Sequence, residues 1–318
     1  MKKSLMLIMA MVLTFTLAAC GQANNGGTTA GNTTSSSSPS TEPSAEPSAE
    51  ASGLTGSLLA TGSSALQPLV DQASKMFMEK NSGVTIQVQG GGSGTGLTQV
   101  SEGQANIGNS DVYAEEKLDA DKAKELVDHQ VAVVAMAAVV NKDVKVDNLT
   151  KQQLIDIFTG KVTNWKDLGG DDAAIVIVNR PASSGTRATF EKYALGQKSE
   201  DLQGSIQEDS SGTVKKIIGE TPGAIGYLAL SYLDDSIKTV SYDGVAANVE
   251  NVANGTYPVW AYEHMYTKGE PDAAAKAFLE YMMSEEIQNE KGLVVELGYI
   301  PTSQMQVVRD LDGNITKK

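Results

Sequence analysis

Residues 21–53 carry almost no large apolar side chains, reading Gly/Asn/Thr/Ser and then a short Glu-Pro-Ser-Ala repeat around Glu42–Ala49. Such a stretch cannot bury enough surface to offset the entropy of ordering it, so it is expected to remain a disordered tether. Any fold must therefore be built from about Leu54 to Lys318. Cys20 is the single cysteine, so that part folds without a disulfide and without thiol chemistry. About 265 residues are enough for a core that needs no covalent staple.

The chain ahead of the tether reads as an address. Lys2 and Lys3 are followed by an apolar run over residues 4–19 that ends Leu17-Ala18-Ala19-Cys20. This is the layout of a secretory signal, and the run is short for a bilayer span. A cysteine directly after Leu-Ala-Ala resembles a bacterial lipoprotein signal, which implies cleavage before Cys20 and acylation of its thiol, with palmitate among the chains attached. On that reading residues 1–19 are the signal peptide and 20–53 a lipidated tether that places the protein on the outer face of the cell membrane. The formal net charge of −14 argues against nucleic acid and against electrostatic docking on anionic lipid. It does not exclude a buried anion site, which depends on local donors and helix N-termini.

Strand and helix patterns alternate through the remainder. Residues 58–61 suit a short strand, after which Leu66, Leu69, Val70, Ala73 and Phe77 recur at helical spacing. Val84, Ile86 and Val88 alternate as a strand that runs into Gly90–Gly96, and a helix with Leu97 and Val100 inward should follow. Ala105–Gly108 reads as a strand ending at Ser110-Asp111, and the apolar run 131–140 as a buried one. Thr150 with Gln153 forms a capping box for the helix holding Leu154, Ile155 and Phe158. Ile175–Val178 is a further buried strand leading to Arg180, and Ala273 to about Lys291 has the pattern of one long amphipathic helix. Repeated β-to-α passages predict an α/β fold with largely parallel sheets, whose ligands sit beyond the strand carboxyl ends.

The loops at those ends carry the chemistry. Ser63-Ser64 precede a helix, where a serine caps and also offers a hydroxyl to an anion. Residues 90–96 hold five glycines with Ser93 and Thr95, which lets backbone approach a ligand. No Gly-Lys-Ser/Thr follows, so this is no P-loop, and Thr95 stands where a dinucleotide fingerprint needs its last glycine. Arg180-Pro181-Ala182-Ser183-Ser184-Gly185-Thr186-Arg187 is the strongest signal: a guanidinium fork at a strand end, then hydroxyls and free N–H groups opening a helix. Asp111 stands alone as an acceptor among these donors.

Taken together these loops resemble the PstS family, the phosphate-binding proteins of bacterial phosphate ABC transporters. The resemblance covers about residues 55–305. It rests on Gly62-Ser63-Ser64-Ala65-Leu66-Gln67-Pro68, Gly92-Ser93-Gly94, Gly108-Asn109-Ser110-Asp111 and Arg180 with Ser184-Gly185-Thr186. Ile157-Phe158-Thr159-Gly160 with Asn164-Trp165 and Leu168, and Gly223-Ala224-Ile225-Gly226-Tyr227, match as well and read as structural. The resemblance implies phosphate contacts from Ser64, Ala65 (backbone N–H), Ser93, Asp111, Arg180, Ser184, Gly185 (backbone N–H) and Thr186. Asp111 would accept a hydrogen bond from the proton that phosphate carries and fully ionised sulfate lacks.

Two positions depart from the family. Ala65 stands where some members have an aromatic residue, and Ala182 where some have an acid, so the partner of Arg180 must come from elsewhere. Arg187 is either a second positive charge for the ligand or a helix-surface arginine. The implied fold is a two-lobed periplasmic-binding-protein type (type II) with two hinge crossover strands. Its first lobe would be 54–136 plus 259–318 and its second 137–258, hinged at Val131–Val140 and Tyr257–Ala261. Implied partners are inorganic phosphate and the permease subunits of an ABC importer, with no cofactor. An enzyme is the rival class, but His129 and His264 are the only histidines, no cluster has metal-ligand spacing, and Ser184 has no evident general base. A binder of sulfate or molybdate is the nearer alternative.

Overall fold

Residues 53–202 and 204–318 are described by the computed structural model; the signal, cleavage-site and tether readings on residues 1–52 lie outside the described residues. From the N-terminal side the elements are β1 (Gly56–Gly62), α1 (Gln67–Lys80), β2 (Val84–Gln89), α2 (Ser93–Ser101), β3 (Ile107–Ser110), α3 (Ala120–Ala123) and β4 (Leu126–Val140). Then come β5 (Asn148–Leu149), α4 (Lys151–Phe158), β6 (Val176–Asn179), α5 (Gly185–Phe190), β7 (Ile206–Gln207), α6 (Ser211–Glu220), β8 (Ala224–Ala229) and β9 (Lys238–Thr239). The chain closes through β10 (Ser241–Tyr242), α7 (Val249–Ala253), β11 (Trp260–Lys268), α8 (Ala273–Met282), α9 (Glu285–Gln288), α10 (Leu293–Glu296) and a short hairpin, β12 (Val307–Arg309) with β13 (Ile315–Lys317).

The main sheet runs β2-β1-β3-β11-β4-β8-β6-β7, with β9 added on β4. Its outer pairs are parallel: β1 with β2 and β3, and β6 with β7 and β8. Its centre is antiparallel, β3 with β11, β11 with β4, and β4 with β8. This is the α/β architecture expected, but the sheet is mixed where the β-to-α passages predicted a largely parallel one. The long strands β4 and β11 cross its centre antiparallel to their neighbours, and the most continuously apolar run lies in β4. Every residue from Val131 to Val140 is buried, as a strand covered on both faces requires.

β4 changes partner partway along its length. Leu126–Ala135 pair with β11, and Met136–Val140 pair with β8. At the exchange the Met136 N–H donates to the Val259 carbonyl at 2.9 Å, and Tyr257 Oη donates to the Met136 carbonyl at 2.9 Å. The two segments expected to cross between lobes therefore meet at one point. One apolar cluster runs from Leu58 and Ile107 through Val131–Met136 to Phe158 and Phe190, so the two half-sheets share a core.

The structure refines several local expectations. The Thr150 capping box forms as read, with Gln153 N–H on Thr150 Oγ1 at 3.2 Å and Thr150 N–H on Gln153 Oε1 at 2.8 Å. The two motifs taken as structural meet, since Trp165 Nε1 donates to the Gly223 carbonyl at 2.9 Å. The single helix expected over 273–291 is instead α8 and α9, broken where Ser284 turns extended (φ −69°, ψ 159°). The break carries Ile287, and then Leu293 and Val294 of α10, back into the core. Among the described residues no helix is long and apolar enough to cross a membrane.

Candidate functional site

The loops following β1, β2, β3, β6 and β7 converge, as the carboxyl ends of parallel strands in an α/β sheet should. Ser64, Ala65, Ser93, Asp111, Arg180, Ser184, Gly185 and Thr186 are all buried. The first four come from the β1–β3 half of the sheet and the last four from the β6 loop.

Contacts across this seam are direct. Arg180 Nη2 donates to Ser64 Oγ at 3.1 Å, and Thr186 Oγ1 donates to Asp111 Oδ2 at 2.9 Å. The Gly94 N–H donates to the Ser183 carbonyl at 2.9 Å, tying the glycine loop to the 180–187 loop. Gly92 sits at φ +83°, the conformation that lets this loop turn into α2. Gly185 packs so closely that a β-carbon there would lie 2.1 Å from Ser93 Oγ and 3.0 Å from Asp111 Cβ.

Asp111 is 1 % exposed and held by hydroxyls. Ser63 donates to Oδ1, Thr186 to Oδ2, and the Asp111 N–H donates to Ser93 Oγ at 3.0 Å. Ser63 has a second task, capping the turn into α1 by accepting the Ala65 and Leu66 N–H groups at 3.0 Å. The Ala65 N–H, expected to serve the ligand, is thus engaged by Ser63 in this geometry.

Arg180 is also 1 % exposed. Burial lowers its pKa, against the favourable pull of Tyr227, Asp111 and Asp209, but a guanidinium stays charged. Its backbone is fixed by Asn179, whose Oδ1 accepts the Arg180 N–H at 2.9 Å and the Tyr227 hydroxyl at 2.5 Å. The acidic partner missing at Ala182 comes from the loop before α6. Asp209 Oδ1 lies 3.9 Å from Arg180 Nη2, which also donates to the Asp209 carbonyl. Ser211 accepts from Arg180 Nη1 at 3.3 Å and lies 3.0 Å from Ser64 Oγ. Arg180 Nε and Asp209 Oδ1 have no hydrogen-bond partner.

Arg187 resolves to neither sequence alternative. It is buried, paired with Glu191 at 2.7 Å and Asp201 at 2.9 Å, and donates to the carbonyls of Arg180 (2.6 Å) and Ser199 (3.2 Å). With its donors committed, it shapes the loop instead of facing a ligand.

Sequence reasoning missed Asp209 and Ser211. The signal was present: Ser210-Ser211-Gly212-Thr213 repeats Ser183-Ser184-Gly185-Thr186, and each opens a helix with a serine cap. The arrangement is a buried cation ringed by hydroxyls with one carboxylate acceptor opposite, which suits an oxyanion that carries a proton.

The comparisons agree with this geometry. Residues 26–286 match the model of a PBP superfamily domain. The chain is 55 % identical over 316 residues to the phosphate-binding protein PstS of Bacillus subtilis, covering 98 % of this chain and 99 % of that one. It is 31 % identical to PstS of Pseudomonas aeruginosa, over 79 % of this chain and 84 % of that one. A solved chain from Clostridium perfringens, assigned as a phosphate ABC transporter substrate-binding protein and holding phosphate, superposes with TM-score 0.71 at 34 % identity, covering 78 % of this chain and all of that one. An ABC-type phosphate transport receptor from Vibrio cholerae superposes with TM-score 0.62 at 28 % identity, over 76 % of this chain and 99 % of that one. Fold, loop chemistry and relatedness along nearly the whole chain lead to one conclusion: this chain belongs to the PstS family of phosphate-binding proteins.

Proposed function

We propose that this protein captures inorganic phosphate between two lobes and delivers it to an ABC-type importer, acting outside the cytoplasm from a lipid anchor on Cys20. The lobes are residues 54–136 plus 259–318 and residues 137–258, and the exchange of β4 partners at Ala135 and Met136 supports a hinge there. The ligand contacts are Ser64, Ser93, Asp111, Arg180, Ser184, Gly185 and Thr186, and also the Ala65 N–H, which would exchange Ser63 Oγ for the ligand. One observation carries the reading: the buried Arg180 guanidinium and the buried Asp111 carboxylate face the same seam, each held by hydroxyls from the opposite half. Donors satisfy the anion's oxygens, and Asp111 accepts a hydrogen bond from the proton that phosphate keeps near neutral pH. Sulfate would meet that carboxylate without a proton to share, and is rejected.

Calorimetry with phosphate, sulfate and molybdate tests the reading. Phosphate should bind strongly and sulfate weakly, and Arg180→Ala should abolish measurable phosphate binding. Equal affinities for phosphate and sulfate would overturn the role given to Asp111. The anchor is tested separately, by metabolic labelling with palmitate. Label should follow the wild-type chain into the membrane fraction and be absent from Cys20→Ala.

A further inference from the structure

Glu263 lies in β11 and is fully buried, and neither of its carboxyl oxygens has a hydrogen-bond partner. An isolated buried carboxylate is costly enough that such groups are normally paired or neutral. The strand register shows what it faces. β11 pairs with β3 through Met265 opposite Asn109 and His264 opposite Ser110, where the ladder ends. Glu263 and Asp111 are the next residue on each side, and their side chains act on one another. Residues directly opposite on antiparallel strands share a face, with side chains within reach of one another.

Two ionised carboxylates in that position would both be acceptors and would repel. A single proton turns the same contact into a charge-assisted hydrogen bond. The groups that act on Glu263, or on which it acts, are Asp111 across the strand pair, Tyr232 from the turn after β8 and Tyr299 from the C-terminal segment. None is a cation, and in β4 the residue in register with it is Ala132. Burial first, and then the neighbouring Asp111, hold the Glu263 carboxyl well above the ordinary carboxylate range.

We propose that Glu263 carries a proton and donates it in a hydrogen bond to Asp111, making Glu263 the positioning residue for the ligand's acceptor. The proposal rests on the reading of Asp111 as the group that accepts a hydrogen bond from protonated phosphate. Asp111 then accepts hydrogen bonds from the hydroxyls of Ser63, Thr186 and Glu263, and stays a fixed acceptor for the ligand. Loss of the Glu263 proton would place a second negative charge beside an incoming anion. The anion favours the protonated form, so binding is linked to keeping or regaining that proton. Above the pH at which ligand-free Glu263 ionises, phosphate binding must take up a proton there in addition to any proton exchanged by phosphate itself.

The experiment compares the full chain with Glu263→Gln, whose amide donates to Asp111 at every pH. Calorimetry with inorganic phosphate, from neutral to alkaline pH and in buffers of different ionisation enthalpy, should show two differences. Wild-type affinity should fall relative to the variant by up to about tenfold per pH unit beyond the Glu263 midpoint. Wild type should also take up more protons per phosphate bound than the variant does. Parallel pH profiles and equal proton uptake would overturn the proposal, because a merely structural glutamate shifts stability without changing linkage. Infrared spectroscopy of the ligand-free wild-type chain, with glutamate or aspartate carboxyls separately labelled with carbon-13, does not depend on the variant folding. A protonated glutamate band persisting at neutral pH supports the proposal, and its absence overturns it. That measurement decides the state of Glu263 even if phosphate fails to bind, which would instead sink the proposed function.

Discussion

The carbonyl oxygen of Arg180 accepts a hydrogen bond from Arg187 Nη1 at 2.6 Å. Arg187 thereby holds the backbone that aims Arg180, and Arg187 is itself anchored by Glu191 and Asp201. The division of labour explains how two arginines seven residues apart, one after β6 and one in α5, serve different ends.

Replacing Arg187 by Lys should therefore weaken phosphate binding although Arg187 faces no ligand. A lysine keeps the charge but cannot reach the Arg180 and Ser199 carbonyls, Glu191 and Asp201 together. The loss should be about 1–2 kcal/mol in binding free energy, of the size of one or two buried hydrogen bonds. Calorimetry checks it, and wild-type affinity would show that the Arg180 backbone is fixed by Asn179 alone.

At Gly185 the test is steric. A methyl group there collides with Ser93 Oγ and crowds Asp111 Cβ, so Gly185→Ala should force the β6 loop away from the glycine loop. Phosphate affinity should drop at least about tenfold, a loss of roughly 1.4 kcal/mol, with a small change in melting temperature. Undiminished binding would mean that the two loops need not close this tightly.

Asp111→Asn keeps the shape and offers an amide in place of one acceptor oxygen. Discrimination between phosphate and sulfate should shrink by about tenfold or more while the chain stays folded, since the repelling charge is gone. Parallel titrations with both anions read the ratio directly.

Glu191 supplies a pH test. Burial pushes its carboxyl up, but Arg187, Lys198 and Ser199 outweigh that and hold it below its usual 4.5. A depressed folded-state value stabilises in full above about 4.5 and is lost as pH falls through the lowered value. Glu191→Gln should cost about 2 kcal/mol at neutral pH by removing one of the two carboxylates that pair with Arg187, and should flatten the acid limb of the stability curve. Denaturant unfolding at several pH values measures both.

Much of this was legible because the relevant signals are local. A serine before an apolar helical stripe, five glycines after an alternating strand and an arginine at a strand end each declare a loop that offers donors, and the fold gathers them by topology. For the seam's remaining members a local signal, even where a repeated motif supplied one, did not show what they would touch. Asp209, Ser211 and Glu263 gain their roles only from neighbours far along the chain. Asp209 lies 29 residues from Arg180, and Glu263 meets Asp111 only through pairing of β3 with β11. The helix break at Ser284 was missed because the apolar spacing continues past it; tertiary burial of Ile287 decides the turn.

The strand that changes partner between Ala135 and Met136 has a consequence for how the protein acquires its structure. Because β4 pairs first with β11, which follows it in the chain but lies beside β3, and then with β8 and β9, no single cut there yields two fragments with completed sheets. Cleavage between Ala135 and Met136 would give each piece a bare edge of unpaired N–H and C=O groups, prone to aggregate. The two halves of the binding seam should therefore be gained and lost in one cooperative transition, and a nick at this point should be tolerated only if the pieces remain clasped.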